Sequence, residues 1–142
     1  MTDIRVREFR FATDYPQASR LWNAVGPAVR VGMSDSETEI KKKLARDPDL
    51  FLVAEAGTEL VGTVIGGFDG RRGLIYHLAV ARLFRRKGVA SLLMQEVENR
   101  LRDKGCLRCY LLVRPDNIDA QRYYEKVGWK VLDDLVFGKD LV

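Results

Sequence analysis

The sequence has no apolar run approaching the roughly 18 residues that cross a bilayer. Its longest candidate, "LVGTVIGGF" at 60–68, is about half that length and carries three glycines. The opening "MTDIRVREFR" is charged throughout and lacks the apolar core of a signal peptide, so the protein is expected to be cytoplasmic, with no membrane partner. Histidine occurs once, at His77, which leaves too few ligands for a zinc site, and no metal is expected. Cysteine occurs twice, at Cys106 and Cys109. A redox C-x-x-C needs a helix start. Here the pair opens a β-like run, "CLRCYLLV", in which residues three apart point to opposite faces, so half-buried thiols are expected. Charge of one sign is also scarce. The 24 basic and 20 acidic residues leave a net +4, and only "RLFRRKG" at 82–88 clusters cations. A nucleic-acid binder concentrates its cations and interleaves aromatics, so nucleic acid is not an expected partner. Neither G-x-x-x-x-G-K-[ST] nor G-x-G-x-x-G occurs, which removes the P-loop and the dinucleotide fold.

What is present suits one globular domain over residues 1–142. Apolar residues make up 46% and charged residues 31%, and a chain of 142 residues can bury about 68% of its unfolded surface. "IRVREFR" alternates as a first strand. "TDYPQASRLWNAV" has helical periodicity, with Thr13 or Asp14 as cap, Pro16 in the first turn, and Gly26 and Pro27 beyond its end. "SETEIKKKLA" is a second helix, with Ser36 and Glu39 at capping-box spacing. "LFLVAEA", "ELVGTVIGGF" and "LIYHLAV" are three strands on short linkers, an antiparallel meander. A long helix follows "RRKG" and stops at Gly105. "LRCYLLV" returns parallel to "LIYHLAV", because a full helix separates them. "DNIDAQRYYEKV" is a short helix ended by Gly128, and "WKVL" and "LVFGKDL" form a closing hairpin. The expected class is α/β with a central mixed sheet flanked by helices, in the order β-α-α-β-β-β-α-β-α-β-β.

"FRRKGVA" at 84–90 holds the first chemistry. A helix start leaves N–H groups without intrahelical partners, and the macrodipole makes that end positive. Gly88 lets an anion approach bare backbone, Val89 and Ala90 open the helix, and Arg85, Arg86 and Lys87 add charge. Together they suit a phosphate or pyrophosphate cradle.

The stretch "LAVARLFRRKGVASLLMQEVENRL" resembles the acetyl-CoA-binding segment of the GCN5-related N-acetyltransferase (GNAT) family. The family signature [R/Q]-x-x-G-x-[G/A] is met by Arg85, Gly88 and Ala90. One strand later, "NIDAQRYYEKVGW" is similar to the family's N-x-x-A-x-x-x-Y-x-x-x-G-[F/W] segment, through Asn117, Ala120, Tyr124, Gly128 and Trp129. With "FDGRRG" before the fourth strand, the whole resembles small bacterial members of the RimI-like and YpeA-like type. Such proteins commonly carry proline two residues after the "AV" of the fourth strand. Arg82 stands there instead, and a looser loop is expected.

The resemblance implies an acetyl-CoA-dependent N-acetyltransferase acting on a primary amine of a small molecule or protein, by direct transfer in a ternary complex. The alternative is a CoA-binding regulatory module without turnover. It implies that the backbone of Leu78 and Val80 pairs with the pantetheine arm in a gap between the fourth and fifth strands. N–H groups from Arg85 through Ala90 would hold the pyrophosphate, Ser91 would reach a phosphate, and Asn117 would contact the cofactor. Tyr124 would protonate the departing thiolate, as a phenol protonated at neutral pH can. His77, on the fourth strand where the family often places a base, is the candidate base, against the alternative of a hydrogen-bonded strand histidine. Simple alternation puts Ile75, His77 and Ala79 on one face of that strand. Trp22, Asp35, Asp69 and Arg71 are candidates for lining the acceptor site. A homodimer is compatible with such a domain.

Overall fold

The computed structural model describes residues 3–142, which form two compact units divided after Leu112. The first unit holds a five-stranded sheet in the order β1-β2-β3-β4-β5, from Ile4–Glu8, Phe51–Ala56, Glu59–Phe68, Gly73–Val80 and Cys109–Leu111. The first four strands are antiparallel neighbours and β5 runs parallel to β4, as the long intervening helix requires. Every residue of β2, and Leu60 through Gly66 of β3, is buried, so these strands are covered on both faces.

One face packs on α1 (Phe11–Ala24) and α2 (Glu37–Arg46). Its core joins Phe9, Ala18, Leu21, Trp22 and Ile40 to Phe51, Val53, Ile65 and Ala79 of the sheet. The other face packs on α3 (Val89–Asp103), whose Val89, Leu93, Met94, Val97 and Leu101 are buried at helical spacing. Two glycines of β3 let α3 come close. A Cβ on Gly62 would lie 2.9 Å from Leu93 Cδ1, and one on Gly66 would lie 2.8 Å from Val97 Cγ2.

Ser36 caps α2 by accepting the Glu39 N–H at 3.3 Å, as the capping-box spacing predicts. The start of α1 differs from expectation. The helix begins at Phe11, with Arg10 as an N-cap that offers no side-chain bond, so Pro16 sits in the second turn. Asp14 is not the cap. Its buried carboxylate reaches back to the Arg10 N–H at 2.7 Å and takes two bonds from Arg7, at 2.8 and 2.9 Å. Arg7 also donates to Glu55 at 2.9 Å.

The thiols also differ from expectation. Cys106 lies in the turn before β5, not on it, so strand alternation does not separate the pair. The two sulfurs approach to 3.9 Å, over the bare backbone of Gly73.

The second unit contains α4 (Ile118–Lys126). The expected closing hairpin is absent among the described residues: 129–142 form no strand, and Val131, Leu135 and Phe137 are exposed. An alternating segment becomes a strand only when it pairs, and 129–142 join no ladder among the described residues. No helix among the described residues is long and apolar enough to cross a membrane.

Candidate active site

The connection from β4 to α3 is built of hydrogen-bonded turns. The Ala81 N–H bonds to the Val61 carbonyl at 2.8 Å and closes the ladder with β3. Where proline is replaced by Arg82 the chain forms a 3-10 turn, Arg82–Phe84, held by Phe84 N–H to Ala81 O at 2.8 Å and Arg85 N–H to Arg82 O at 3.3 Å. These two bonds tie down the loop in which the sequence lacks the proline. Arg86 and Gly88 both adopt positive φ, +61° and +82°. These two left-handed residues turn the backbone into α3, which starts at Val89 with no side-chain cap on Gly88.

The first-turn N–H groups of a helix have no intrahelical acceptor, and the dipole is positive there. A Cβ on Gly88 would meet nothing within 4 Å, so the space beyond this backbone is open. Glycine is needed for the left-handed φ and for close approach. Arg85, Arg86 and Lys87 are exposed around it, with Lys87 Nζ 5.6 Å from the centre of the Phe84 ring. One expected donor drops out: the Arg85 amide is committed to Arg82, which shortens the run of candidate amides to Arg86–Ala90. Ser91 lies in the first turn of α3 and is exposed. An anionic diphosphate fits this arrangement in charge, donor set and room.

β4 changes character halfway along. Gly73, Leu74 and Ile75 pair with Cys109, Tyr110 and Leu111, and β5 ends there, while β4 continues to Val80 without a ladder partner on that edge among the described residues. On the opposite edge the register with β3 slips. Thr63 pairs with Ala79 but Ile65 pairs with Tyr76, so His77 and Leu78 together oppose one residue of β3. His77 takes up the bulge at φ +53°. In an antiparallel ladder the bonding direction alternates. Ala81 and Ala79 therefore face β3, and Val80 turns its amide to the edge beyond β5, where Arg85 Nε approaches its carbonyl at 3.4 Å. The bulge also corrects the expected shared face. Ile75 pairs with Gly66, on the α3 side, whereas Ala79 belongs to the core under α1.

At the bulge the side chains form a polar cluster on the α1 face. His77 Nε2 lies 2.7 Å from Asp35 Oδ1. Asp35 sits in a 3-10 turn (Met33–Asp35) between α1 and α2, and its other carboxylate oxygen accepts the Gly32 N–H at 2.9 Å. Tyr15 donates to the Asp35 carbonyl at 2.8 Å. The Trp22 indole N–H donates to the Thr63 hydroxyl, which donates to the His77 carbonyl, each at 2.9 Å. The Trp22 and Tyr76 rings meet the imidazole edge-on, at 4.9 and 5.4 Å. Burial, with Asp35 and Asp47 nearby, pushes the Tyr76 phenol above its ordinary value. Asp69 is instead a turn residue: its carboxylate accepts the Arg71 and Arg72 N–H groups at 2.8 Å each.

In the second unit, Asn117 caps α4 by accepting the Ala120 N–H at 3.2 Å. Tyr124 is half-buried on α4, with Tyr123 and Trp129 edge-on at 5.4 and 6.2 Å. Gly128, at φ +103°, ends the helix, and the Trp129 N–H returns to the Tyr124 carbonyl at 2.9 Å. Burial pushes the Tyr124 phenol well above its ordinary value, so it holds its proton at neutral pH.

Residues 14–129 match the sequence profile of the Acetyltransferase (GNAT) family. The chain belongs to the GNAT family. A protein of Pectobacterium atrosepticum named as an acetyltransferase is 44% identical over 109 residues, which is 77% of each chain. Another of the same name from Sodalis glossinidius is 38% identical over 98% of this chain and 96% of its own. The solved PaiA N-acetyltransferase of Thermoplasma acidophilum, in complex with coenzyme A, superposes with a TM-score of 0.78 at 22% identity, covering 93% of this chain and 92% of its own; at that identity the likeness is one of fold.

As a GNAT enzyme the chain is an acetyl-CoA-dependent N-acetyltransferase, and the α/β class with a mixed sheet between helices is borne out. Three features of this acetyltransferase lie outside what periodicity conveys: the slip at His77, the role of Thr63, and the pairing of Asp35 with His77. Asp35 and Trp22 were candidates for lining an acceptor site, and both gather at the bulge. The signal that could have located the slip is "LIYHLAV" itself, where strict alternation would turn the polar His77 and the small Ala79 onto the same side as Ile75.

Proposed function

We propose that the chain is a single acetyltransferase domain that moves acetyl from acetyl-CoA directly to a primary amine of a small molecule or protein, with donor and acceptor bound together. The family match, which runs across the Leu112–Val113 boundary, supports one domain. The observation that carries the donor is the uncapped, glycine-started helix beside the edge of β4 beyond β5. The amides of Arg86–Ala90 hold the diphosphate, with Arg85, Arg86 and Lys87 around it and the Ser91 hydroxyl beside it. The backbones of Leu78 and Val80 take the pantetheine arm, and Asn117 adds a contact from its side-chain amide.

Acetyl-CoA supplies an activated thioester acyl group. The acceptor nitrogen forms the new C–N bond as the C–S bond breaks, and the bonding pair leaves on sulfur. His77 takes the proton that the nitrogen gives up, and the Tyr124 hydroxyl returns a proton to the thiolate. The high pKa of Tyr124 supports a proton donor. Direct transfer is supported by the state of Cys109. Burial and the neighbouring Cys106 push the Cys109 thiol up to about 12, which leaves little thiolate for an acyl-cysteine route.

Calorimetry with acetyl-CoA, followed by thiol release over a panel of primary amines, tests the proposal. Binding and turnover are expected. Gly88→Val should weaken binding at least tenfold, because an L side chain resists φ +82° and covers the cradle. Tyr124→Phe should keep binding and lower kcat by about 10²-fold or more. Binding without turnover across the panel would leave a regulatory CoA-binding module, and no binding would remove the donor site.

A further inference from the structure

The polar cluster at the β4 bulge has a feature that the assignment of a base to His77 does not use. Both oxygens of Asp35 are committed, Oδ1 to His77 Nε2 at 2.7 Å and Oδ2 to the Gly32 N–H at 2.9 Å. Asp35 is 9% exposed and the His77 side chain 13%. An ionised carboxylate only accepts hydrogen bonds, so at 2.7 Å the imidazole nitrogen facing it must be the one that carries hydrogen. In the neutral ring the remaining nitrogen then holds the lone pair.

We propose that Asp35 is a positioning residue: by accepting the Nε2–H of His77 it leaves Nδ1 as the ring nitrogen that receives the proton of the acceptor amine. This deepens, and rests on, the proposal that His77 is the base. The rest of the cluster serves the same end. Tyr15 holds the Asp35 backbone from α1, and Gly32 orients its carboxylate. Thr63, itself held by Trp22, fixes the carbonyl of His77 at the bulge, and the Trp22 and Tyr76 rings make T-shaped contacts with the imidazole. The imidazole is thus oriented from α1, from the α1–α2 connection, from β3 and from its own strand. The proton passes from the acceptor nitrogen to Nδ1, while the Nε2–H stays on the ring, bonded to Asp35. His77 returns the Nδ1 proton to solvent afterwards, so the ring is unchanged over a cycle.

Asn at position 35 discriminates, because it has the same shape but only one acceptor oxygen. If that oxygen keeps the Gly32 N–H, the amide NH2 faces Nε2 and donates to it. The hydrogen of the neutral ring then moves to Nδ1, and the lone pair turns to the wrong side. The sequence has one histidine, so a long-range 1H–15N spectrum of the free protein reports this ring alone. The expected result in the native protein is hydrogen on Nε2, and in Asp35→Asn hydrogen on Nδ1. With the best primary amine of the panel, Asp35→Asn and His77→Ala should each lower kcat at least tenfold, leave the KM for acetyl-CoA within twofold and leave the melting temperature of Asp35→Asn near that of the native protein. The double variant should be no slower than His77→Ala. A native ring with hydrogen on Nδ1 overturns the proposal without any variant. So does an Asp35→Asn enzyme with a switched ring and native kcat where His77→Ala is impaired. Native kcat in His77→Ala instead defeats the base assignment, a separate failure read from a separate variant. A merely structural Asp35 would tolerate the isosteric amide in kcat.

Discussion

The two faces of the sheet are packed by different means. Under α3 the contact is apolar and close: Val89, Leu93 and Val97 lie against a strand in which Gly62 and Gly66 remove the side chains that would hold the helix away. Under α1 the same sheet buries charge and hydrogen bonds, at the Arg7–Asp14–Glu55 network near one end and the Trp22–Thr63–His77–Asp35 cluster near the bulge. The buried part of the apolar face draws its stability from area and fit, with ion pairs such as Arg100–Glu8 only at its rim. The polar face holds groups that cost free energy unless every partner is in place, so it specifies orientation as well as contact. No buried side-chain nitrogen or oxygen among the described residues lacks a partner. The candidate chemistry lies on the polar face.

The largest effect should come from breaking the charge network. Arg7→Met leaves Asp14, which is 0% exposed, with only the Arg10 N–H and Thr13 nearby. Removing one partner of a buried ion pair costs about 3–5 kcal/mol, read as a fall in the urea midpoint. The pH dependence should change with it. Burial opposes the charge on Asp14, but the bonds from Arg7 and Arg10 and the Arg7 charge outweigh it and hold the carboxyl below its ordinary value. Bonds from Arg5 and Arg7 do the same for Glu55. A depressed folded pKa contributes stability that is in place above the unfolded value, about 4, and is lost as pH falls through the folded value. The native protein should therefore lose stability on acidification from neutral pH. In Arg7→Met, burial of Asp14 is no longer outweighed, and the gap between variant and native protein should narrow as pH falls. A constant gap would mean that the network contributes packing alone.

On the apolar face the corresponding probe adds one methyl group. In Gly66→Ala the new Cβ would lie 2.8 Å from Val97 Cγ2, a short β-branched side chain on a buried helix, so α3 must move or the strand must bend. Overpacking of this kind costs about 1–3 kcal/mol. The cost should be nearly independent of pH, which separates the two faces in one titration series. The paired variant Gly66→Ala/Val97→Ala should recover part of the loss by returning the space. If Gly66→Ala is neutral, α3 is not held at the distance the glycines allow.

The difference between the faces also explains what could be read from the amino-acid order. Helical spacing in "VASLLMQEVENRL", capping at Ser36, the stop at Gly105 and the parallel return of "LRCYLLV", of which 109–111 form the strand, are local or pairwise rules, and each appears in the fold. So does the start of α3 directly after Gly88, because a helix start after glycine is itself a local feature. The His77 slip is not local: it depends on β3 and β4 differing by one residue in register, which no single strand displays. The Asp35–His77 pair joins residues 42 apart in the sequence, and Trp22–Thr63 joins residues 41 apart, so neither exists until the sheet and α1 have met. The alternation that would separate Cys106 from Cys109 does not apply, because the strand begins only at Cys109. The closing hairpin failed for a related reason, since alternation at 129–142 describes a strand only where an edge receives it.

The smallest effects sharpen the comparison at Thr63, a fully buried hydroxyl facing α1 that donates to one group and accepts from another. Thr63→Val keeps the shape and removes the hydroxyl, leaving the Trp22 N–H and the His77 carbonyl each without that partner. A buried polar group left unsatisfied costs about 1–3 kcal/mol. Thr63→Ser removes a methyl group and keeps both bonds, which should cost only about 0.8 kcal/mol. Thermal unfolding of the two variants ranks them. Val costing more than Ser means that the hydrogen-bonded chain through His77 governs this face of the sheet. The reverse order would mean that the buried part of the α1 face, like that of the α3 face, is held mainly by fit, and the bulge would then owe its conformation to register rather than to Thr63.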